Sequence, residues 1–260
     1  MSRYGICDLT VIPLRAASDD RSELVSQLLF GETFEILDTR NQWRKVRTRF
    51  DSYEGWIDEK QMQPLIPAAY QAAGNYAVCV DKFIQVKSPY RELQLMIGSN
   101  IPNLSEGLFK INEETFQVQP GARTFPFPDS PFRSSVALTD QALKFLDTPY
   151  WWGGRSLFGI DCSGFTQLVF KLGGYTLKRD AHQQAEQGAT INLVMETRPG
   201  DLAFFENAEH RIIHVGIILP DQKIIHASGR VRIDDLDHYG IFNQELKKYT
   251  HQLRLLKRIL

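Results

Sequence analysis

At 260 residues the chain exceeds one typical domain and suits two or three. Apolar residues make up 43% and charged residues 23%, and the net charge of −1 leaves no broad basic field for nucleic acid or an anionic membrane surface. No stretch approaches the roughly 18 apolar residues of a membrane span, and the opening MSRYGICDLTVIPL lacks the apolar core and cleavage site of a secretory leader. With Met1 as the native start, these features predict a soluble cytoplasmic protein.

Residues 1–64 carry VSQLLFGETFEILDT, WRKVRTRF and WIDEKQM, short Val/Ile/Phe/Trp-rich runs broken by Gly31 and the DSYEG turn. That spacing predicts a small β-barrel. Residues 65–120 repeat the character in AVCVDKFIQVKS, LQLMIGSNIP and GLFKINEETFQVQPG, and predict a second one. The proline-bearing run 121–134 reads as a stiff connector. From residue 135 the period changes. SVALTDQALKFLD predicts an amphipathic helix ending before Pro149, and a second helix starts near Asp161 and stops at Gly173-Gly174. DLAFFE, RIIHVGIILP and QKIIHASG then predict three antiparallel strands. Helices followed by an antiparallel sheet make residues 135–260 an α+β domain.

Three cysteines, Cys7, Cys79 and Cys162, form no CxxC pair and, being odd in number, no closed disulfide framework. Cys7 and Cys79 read as small buried apolar residues. Cys162 differs, because it stands in the first turn of the helix that starts at Asp161. A helix N-terminus offers positive dipole and free N–H groups, which predicts a lowered thiol pKa and a place for an oxyanion. RIIHVGIIL places His214 on one strand face, and KIIHASG places His226 on the next strand after the turn LPDQ. A thiol at a helix tip facing a base and its orienter on adjacent strands is the arrangement of a thiol protease, with Cys162 as nucleophile, His214 as base and His226 as support. A metal site from Cys162, His214 and His226, with Asp161 or His182 added, is the rival, but no ligand-spacing pattern supports it.

Pro149-Tyr150-Trp151-Trp152-Gly153-Gly154, Asp161-Cys162-Ser163-Gly164, Arg179-Asp180-Ala181, Arg198-Pro199-Gly200-Asp201, His214-Val215-Gly216 and His226-Ala227-Ser228-Gly229 together resemble the NlpC family of bacterial cell-wall peptidases. The resemblance covers residues 135–260 and implies a papain-like fold, a Cys-His-His triad, no cofactor and Tyr150 in the active-site wall. The first 120 residues resemble the paired SH3-like domains of one branch of that family. The members of that branch cut between γ-D-glutamate and the diamino acid of murein tri- and tetrapeptides with a free N-terminal L-alanine, in cell-wall peptide recycling. By this resemblance Tyr53, in Tyr53-Glu54-Gly55-Trp56, and Glu23 read the free amine, and Asp161 and Ser163 complete the pocket. On the residues alone, Glu23 reads as solvated and Tyr53 with Trp56 as barrel core. Asp180 and Asp201 read as turn or capping residues, and Arg230 and Arg232 as a solvated strand end, with pairing to a substrate carboxylate as the alternative. The competing classes are a wall-peptide-binding module with an inactive papain-like domain, and an amidase, acyltransferase or secreted wall hydrolase with the same thiol.

Overall fold

The computed structural model describes residues 3–260. Its contacts fall into two compact units, the chain up to Ser130 with Trp152–Leu157, and Pro131–Trp151 with Phe158–Leu260.

In the first unit, β1 (Tyr4–Ile6), β2 (Val11–Arg15), β3 (Leu24–Leu29), β4 (Thr33–Arg40), β5 (Trp43–Thr48), β6 (Glu54–Asp58) and β7 (Gln63–Leu65) form one sheet in the order β3-β2-β6-β5-β4-β1-β7. Strand alternation turns Ile12 and Leu14 inward, where they pack with Cys7, Leu28, Phe34, Val46 and Ile57. After helix α1 (Pro67–Ala72) come β8 (Tyr76–Cys79), β9 (Phe83–Lys87), β10 (Glu92–Met96), β11 (Asn100–Pro102), β12 (Leu108–Ile111), β13 (Glu114–Val118) and β14 (Thr124–Pro126). They make a four-stranded and a three-stranded sheet. Their core of Cys79, Ile84, Val86, Leu95, Phe109 and Phe116 also takes in Ile6 and Leu65 from the first sheet and Phe30 from the turn after β3, so residues 3–130 share buried apolar surface. The proline-bearing run is more than a connector, because Thr124–Pro126 pairs with β8 through Thr124↔Cys79 and Pro126↔Ala77. Prolines at an edge strand cost no ladder bond, which is why the run tolerates both roles. Cys7 and Cys79 are fully buried thiols.

The segment Trp152–Leu157 carries the short strand β15 (Arg155–Ser156) and packs within the first unit. The Arg155 guanidinium makes a bidentate pair with Glu32 at 2.8 and 2.9 Å, both side chains buried, and its backbone N–H donates to Gln27 Oε1 at 2.7 Å. Gly153 has φ +72°, and a Cβ there would stand 2.0 Å from the Leu24 carbonyl oxygen, so only glycine fits.

The second unit holds helices α2 (Ser135–Leu143), α3 (Cys162–Leu172) and α4 (Ala181–Gln184), the short strand β16 (Gly159–Ile160), and strands β17 (Ala189–Ile191), β18 (Leu202–Glu206), β19 (Ile212–Leu219), β20 (Lys223–Ser228), β21 (Arg230–Leu236), β22 (Gly240–Asn243) and β23 (Lys248–Arg258). Both long helices begin on side-chain caps, Ser134 accepting from the Ala137 N–H and Asp161 from the Gly164 N–H at 2.7 Å. Helix α3 ends at Gly173, with Gly174 in the left-handed region, as the glycine pair predicts. The sheet order is β17-β23-β18-β19-β20-β21-β22. Strand β23 is long enough to pair with β18 on one edge and with β22 and β17 on the other, which closes the sheet into a barrel. The sequence reading predicts only three of these strands. Strands β21, β22 and β23 escape it because charged and polar residues interrupt their apolar alternation. Among the described residues no helix is long and apolar enough to cross a membrane.

Candidate active site

Cys162 is the first residue of α3, and every side chain of that helix is buried. The Asp161 carboxylate caps the helix and also meets Arg179, Oδ1 at 3.0 Å and Oδ2 at 2.7 Å. Arg179 donates further to Ser163 Oγ at 2.9 Å, and is itself 1% exposed. This buried pair fixes the helix start, since a lone Arg179 in that position would be an uncompensated charge. Gln184, from α4, donates to the Ser163 carbonyl at 3.0 Å and accepts from Thr166 Oγ1 at 2.7 Å, holding the first turn from the other side.

The backbone N–H groups of Val215, the residue after His214, and of Ser163 act on the Cys162 sulfur in the sense that favours its thiolate. Helix tip and strand β19 therefore meet at this atom. Its pKa is the reverse of the sequence expectation. Burial, with the Asp161 charge second, pushes the thiol up to about 12, and the two backbone donors and Arg179 only moderate the rise. The helix-terminus effect is worth less than desolvation here, because the thiol is 7% exposed and water is nearly excluded.

His214 and His226 stand on β19 and β20. The register pairs His226 with Gly216 rather than with His214. The diagonal reach still brings His214 Nε2 to 2.8 Å from His226 Nδ1, and His226 Nε2 to 3.0 Å from Asp234 Oδ2. Burial, the His226 charge and the His251 charge hold His214 well below an ordinary histidine pKa, and burial lowers His226 as well. Asp234 is held below its ordinary value: its burial opposes ionisation, but His226 and Arg232 outweigh it. An ionised Asp234 only accepts, so His226 carries its hydrogen on Nε2 and has a lone pair on Nδ1. That lone pair takes the Nε2–H of His214, which leaves His214 Nδ1 as a free base nitrogen. One ionised carboxylate thus sets both tautomers.

Arg232 completes this row by donating to both Asp234 oxygens, at 2.8 and 3.0 Å, and to Glu245 at 3.1 Å. It lies opposite His226 on β21, so it is not a solvated strand end. Arg230 pairs with Asp147 and Glu245. Asp201 accepts from Arg258 Nη2 at 2.6 Å and from the Arg198 N–H at 2.7 Å, and Asp180 forms a capping box with Gln183. His251, on β23, stacks on His214 with centroids 4.2 Å apart. Sequence reading misses Asp234 and His251 because it misses their strands. The alternation Arg232, Asp234 behind His226 was the available signal for the first, whereas a register shift at Ile241/Phe242 removes any period around the second.

Tyr150 is half-buried near the same place. Burial pushes its phenol up, and the Cys162 and Asp161 charges push the same way. Its backbone N–H donates to the Gly229 carbonyl at 2.9 Å, tying it to the end of β20. In the first unit, Glu23 is exposed and accepts the Trp152 indole N–H at 2.5 Å, while half-buried Tyr53 packs on the barrel core. Their N–H and apolar contacts position them, Tyr53 through its own N–H to Thr48 Oγ1 at 2.9 Å.

The NlpC/P60 family matches residues 147–251, and the bacterial dipeptidyl-peptidase SH3 domain matches residues 14–62. A gamma-D-glutamyl-L-lysine dipeptidyl-peptidase of Bacillus subtilis is 31% identical over 243 residues, covering 86% of this chain and 75% of the relative. The chain belongs to the NlpC/P60 family. Dipeptidyl-peptidase 6 of Lysinibacillus sphaericus is 29% identical, over 90% of this chain and 92% of its own. An NlpC/P60 family protein from Bacillus cereus, known from its crystal structure, superposes with a TM-score of 0.85 at 20% identity, over 99% of both chains, and shows the same fold. This NlpC/P60 protein is thus a cysteine peptidase with a papain-like domain and an SH3 domain.

Proposed function

We propose that this peptidase hydrolyses murein peptides at the bond between γ-D-glutamate and the L-diamino acid, releasing L-Ala-γ-D-Glu in cytoplasmic wall-peptide recycling. The names of the relatives support the bond, and one observation supports the chemistry: the Asp234–His226–His214 row leaves a lone pair on His214 Nδ1. Cys162 is the nucleophile, His214 the base and His226 its orienter. Because the buried thiol rests protonated, His214 takes its proton as the sulfur attacks the γ-carbonyl carbon. The backbone N–H of Cys162 and the Tyr150 hydroxyl stabilise the oxyanion. His214 then returns the proton to the leaving amine of the diamino acid. Water, with its proton taken by His214, cleaves the thioester and restores the thiol.

In this reading a free N-terminal L-alanine is read by Glu23, Tyr53, Asp161 and Ser163, since an ammonium taken from water must be paired. Both Asp161 oxygens already meet Arg179, so Asp161 brings little spare negative charge, and Glu23 with the Tyr53 oxygen carries most of the task. We read residues 65–120 as a second SH3-like domain. The test is incubation with L-Ala-γ-D-Glu-diaminopimelate and with its lysine counterpart, each also N-acetylated, using the wild type and Cys162→Ala. Dipeptide released only by the wild type, and only from the free-amine forms, is the expected result. Equal cleavage of the acetylated forms would remove the amine pocket.

A further inference from the structure

His214, His226 and His251 each present a ring nitrogen, and the three atoms lie within 4.8 Å of one another. His251 stacks on His214 at an interplanar angle of 24°, and His226 stands nearly perpendicular to both rings, at 87° and 82°. We propose that these three imidazoles form a site for a divalent transition-metal ion of the Zn²⁺ class, and that its occupancy switches the peptidase off.

The donor set selects the ion. Imidazole nitrogen suits Zn²⁺, Cu²⁺ and Ni²⁺, whereas Mg²⁺ and Ca²⁺ require oxygen. The ligands are also oriented as metal ligands are. His226 directs its Nδ1 lone pair at the shared space while its other nitrogen donates to Asp234, itself gripped by Arg232. A carboxylate behind a histidine in this way fixes the ring and raises its basicity toward a metal. His251 Nδ1 is engaged by Thr250 Oγ1 at 2.9 Å, which leaves its Nε2 as the donor. Three nitrogens leave a fourth tetrahedral position for water.

Inhibition follows from the tautomers. The metal takes the place of the hydrogen that His214 Nε2 shares with His226. A neutral imidazole bound through Nε2 keeps its one hydrogen on Nδ1, so the lone pair that would accept the thiol proton is gone. No proton leaves the protein, no bond to sulfur forms, and Cys162 remains a thiol. The site thus differs from the more general capture of a metal by the cysteine itself.

The metal is tested on the Cys162→Ala protein, which carries no catalytic thiol, so binding is read whether or not the chain cleaves the proposed peptide. Titration with Zn²⁺ by calorimetry should show one equivalent bound. Of the six histidines, the ring resonances of His214, His226 and His251 should move, and those of His182, His210 and His238 should stay. Adding His251→Phe, which keeps a flat ring against His214, should weaken Zn²⁺ by about tenfold or more, as loss of one of three ligands requires. In the wild type, turnover should fall with Zn²⁺ and return with EDTA. Binding that needs the thiol, resonances of His182, His210 or His238 moving instead, or an affinity unchanged by His251→Phe would each overturn the proposal. Should the phenylalanine variant not fold, the resonances of Cys162→Ala alone decide.

Discussion

In the proposed reaction His214 Nδ1 can act as a base only because the charge two residues away along the row is fixed. Asp234 is ionised, so His226 and then His214 have one tautomer each. Replacing Asp234 with Asn, whose amide can present its N–H₂ to His226 and reverse both rings, should lower kcat between about 10²- and 10⁴-fold with KM little changed. Steady-state kinetics in EDTA-containing buffer checks this, and a loss under threefold would show that the tautomers are set elsewhere. The pH dependence follows from the same burial. His214 must be neutral to accept the thiol proton, and burial with its two histidine neighbours lowers its pKa. Activity is therefore present above that lowered value and lost only as pH falls through it. The acid limb of kcat/KM should lie below the ordinary histidine value of about 6.5. The sequence brings Cys162, His214 and His226 to notice because each follows a recognisable local pattern. It misleads on the thiol pKa because helix position is local and visible, whereas desolvation depends on chain folded over it from far away.

At the scale of elements, two buried arginine–carboxylate pairs do similar work in different units. Arg179 with Asp161 fixes the start of α3, and Arg155 with Glu32 fixes Trp152–Leu157 on the first unit. Removing one partner leaves a charge without water or counter-ion, so Glu32→Ala should cost about 3–5 kcal/mol of stability. Urea unfolding of the full chain measures it. Glu32→Gln, which keeps shape and some hydrogen bonding, should cost less. Helices α2 and α3 were legible because an apolar period and, for α3, a glycine stop are local sequence signals, and Asp161 and Gly173 act at the ends of α3; the short α1 and α4 carry too few residues to show a period. Strand β23 was not, since its 11 residues are exposed or half-buried except for Leu256 and carry no clean alternation. Missing it hides the closure of the barrel and, with it, His251. The pairing of β14 was hidden for a similar reason, prolines reading locally as connector while the strand edge accommodates them.

For the whole molecule, three histidines with lowered pKa values meet in one interior, and stability must follow. Above pH 6.5 they are neutral in both the folded and the unfolded chain and contribute no pH dependence. Below it the unfolded chain takes up protons that the folded one refuses, so stability falls with falling pH until the folded values are reached. His251, lowered to about 4, should account for on the order of 2 kcal/mol of that loss between pH 6.5 and 4, after allowance for its partial exposure. His251→Phe should flatten the melting temperature against pH across this window, and an unchanged slope would contradict the burial of that ring. The central claim is that the sulfur of Cys162, freed of its proton by His214, becomes acylated during turnover. Acid-quenched mixtures of enzyme and L-Ala-γ-D-Glu-diaminopimelate, digested and weighed by mass spectrometry, should show the L-Ala-γ-D-Glu acyl group on the peptide that contains Cys162 and on neither Cys7 nor Cys79. Turnover that continues in Cys162→Ala, with no acyl group on that peptide in the wild type, would contradict it.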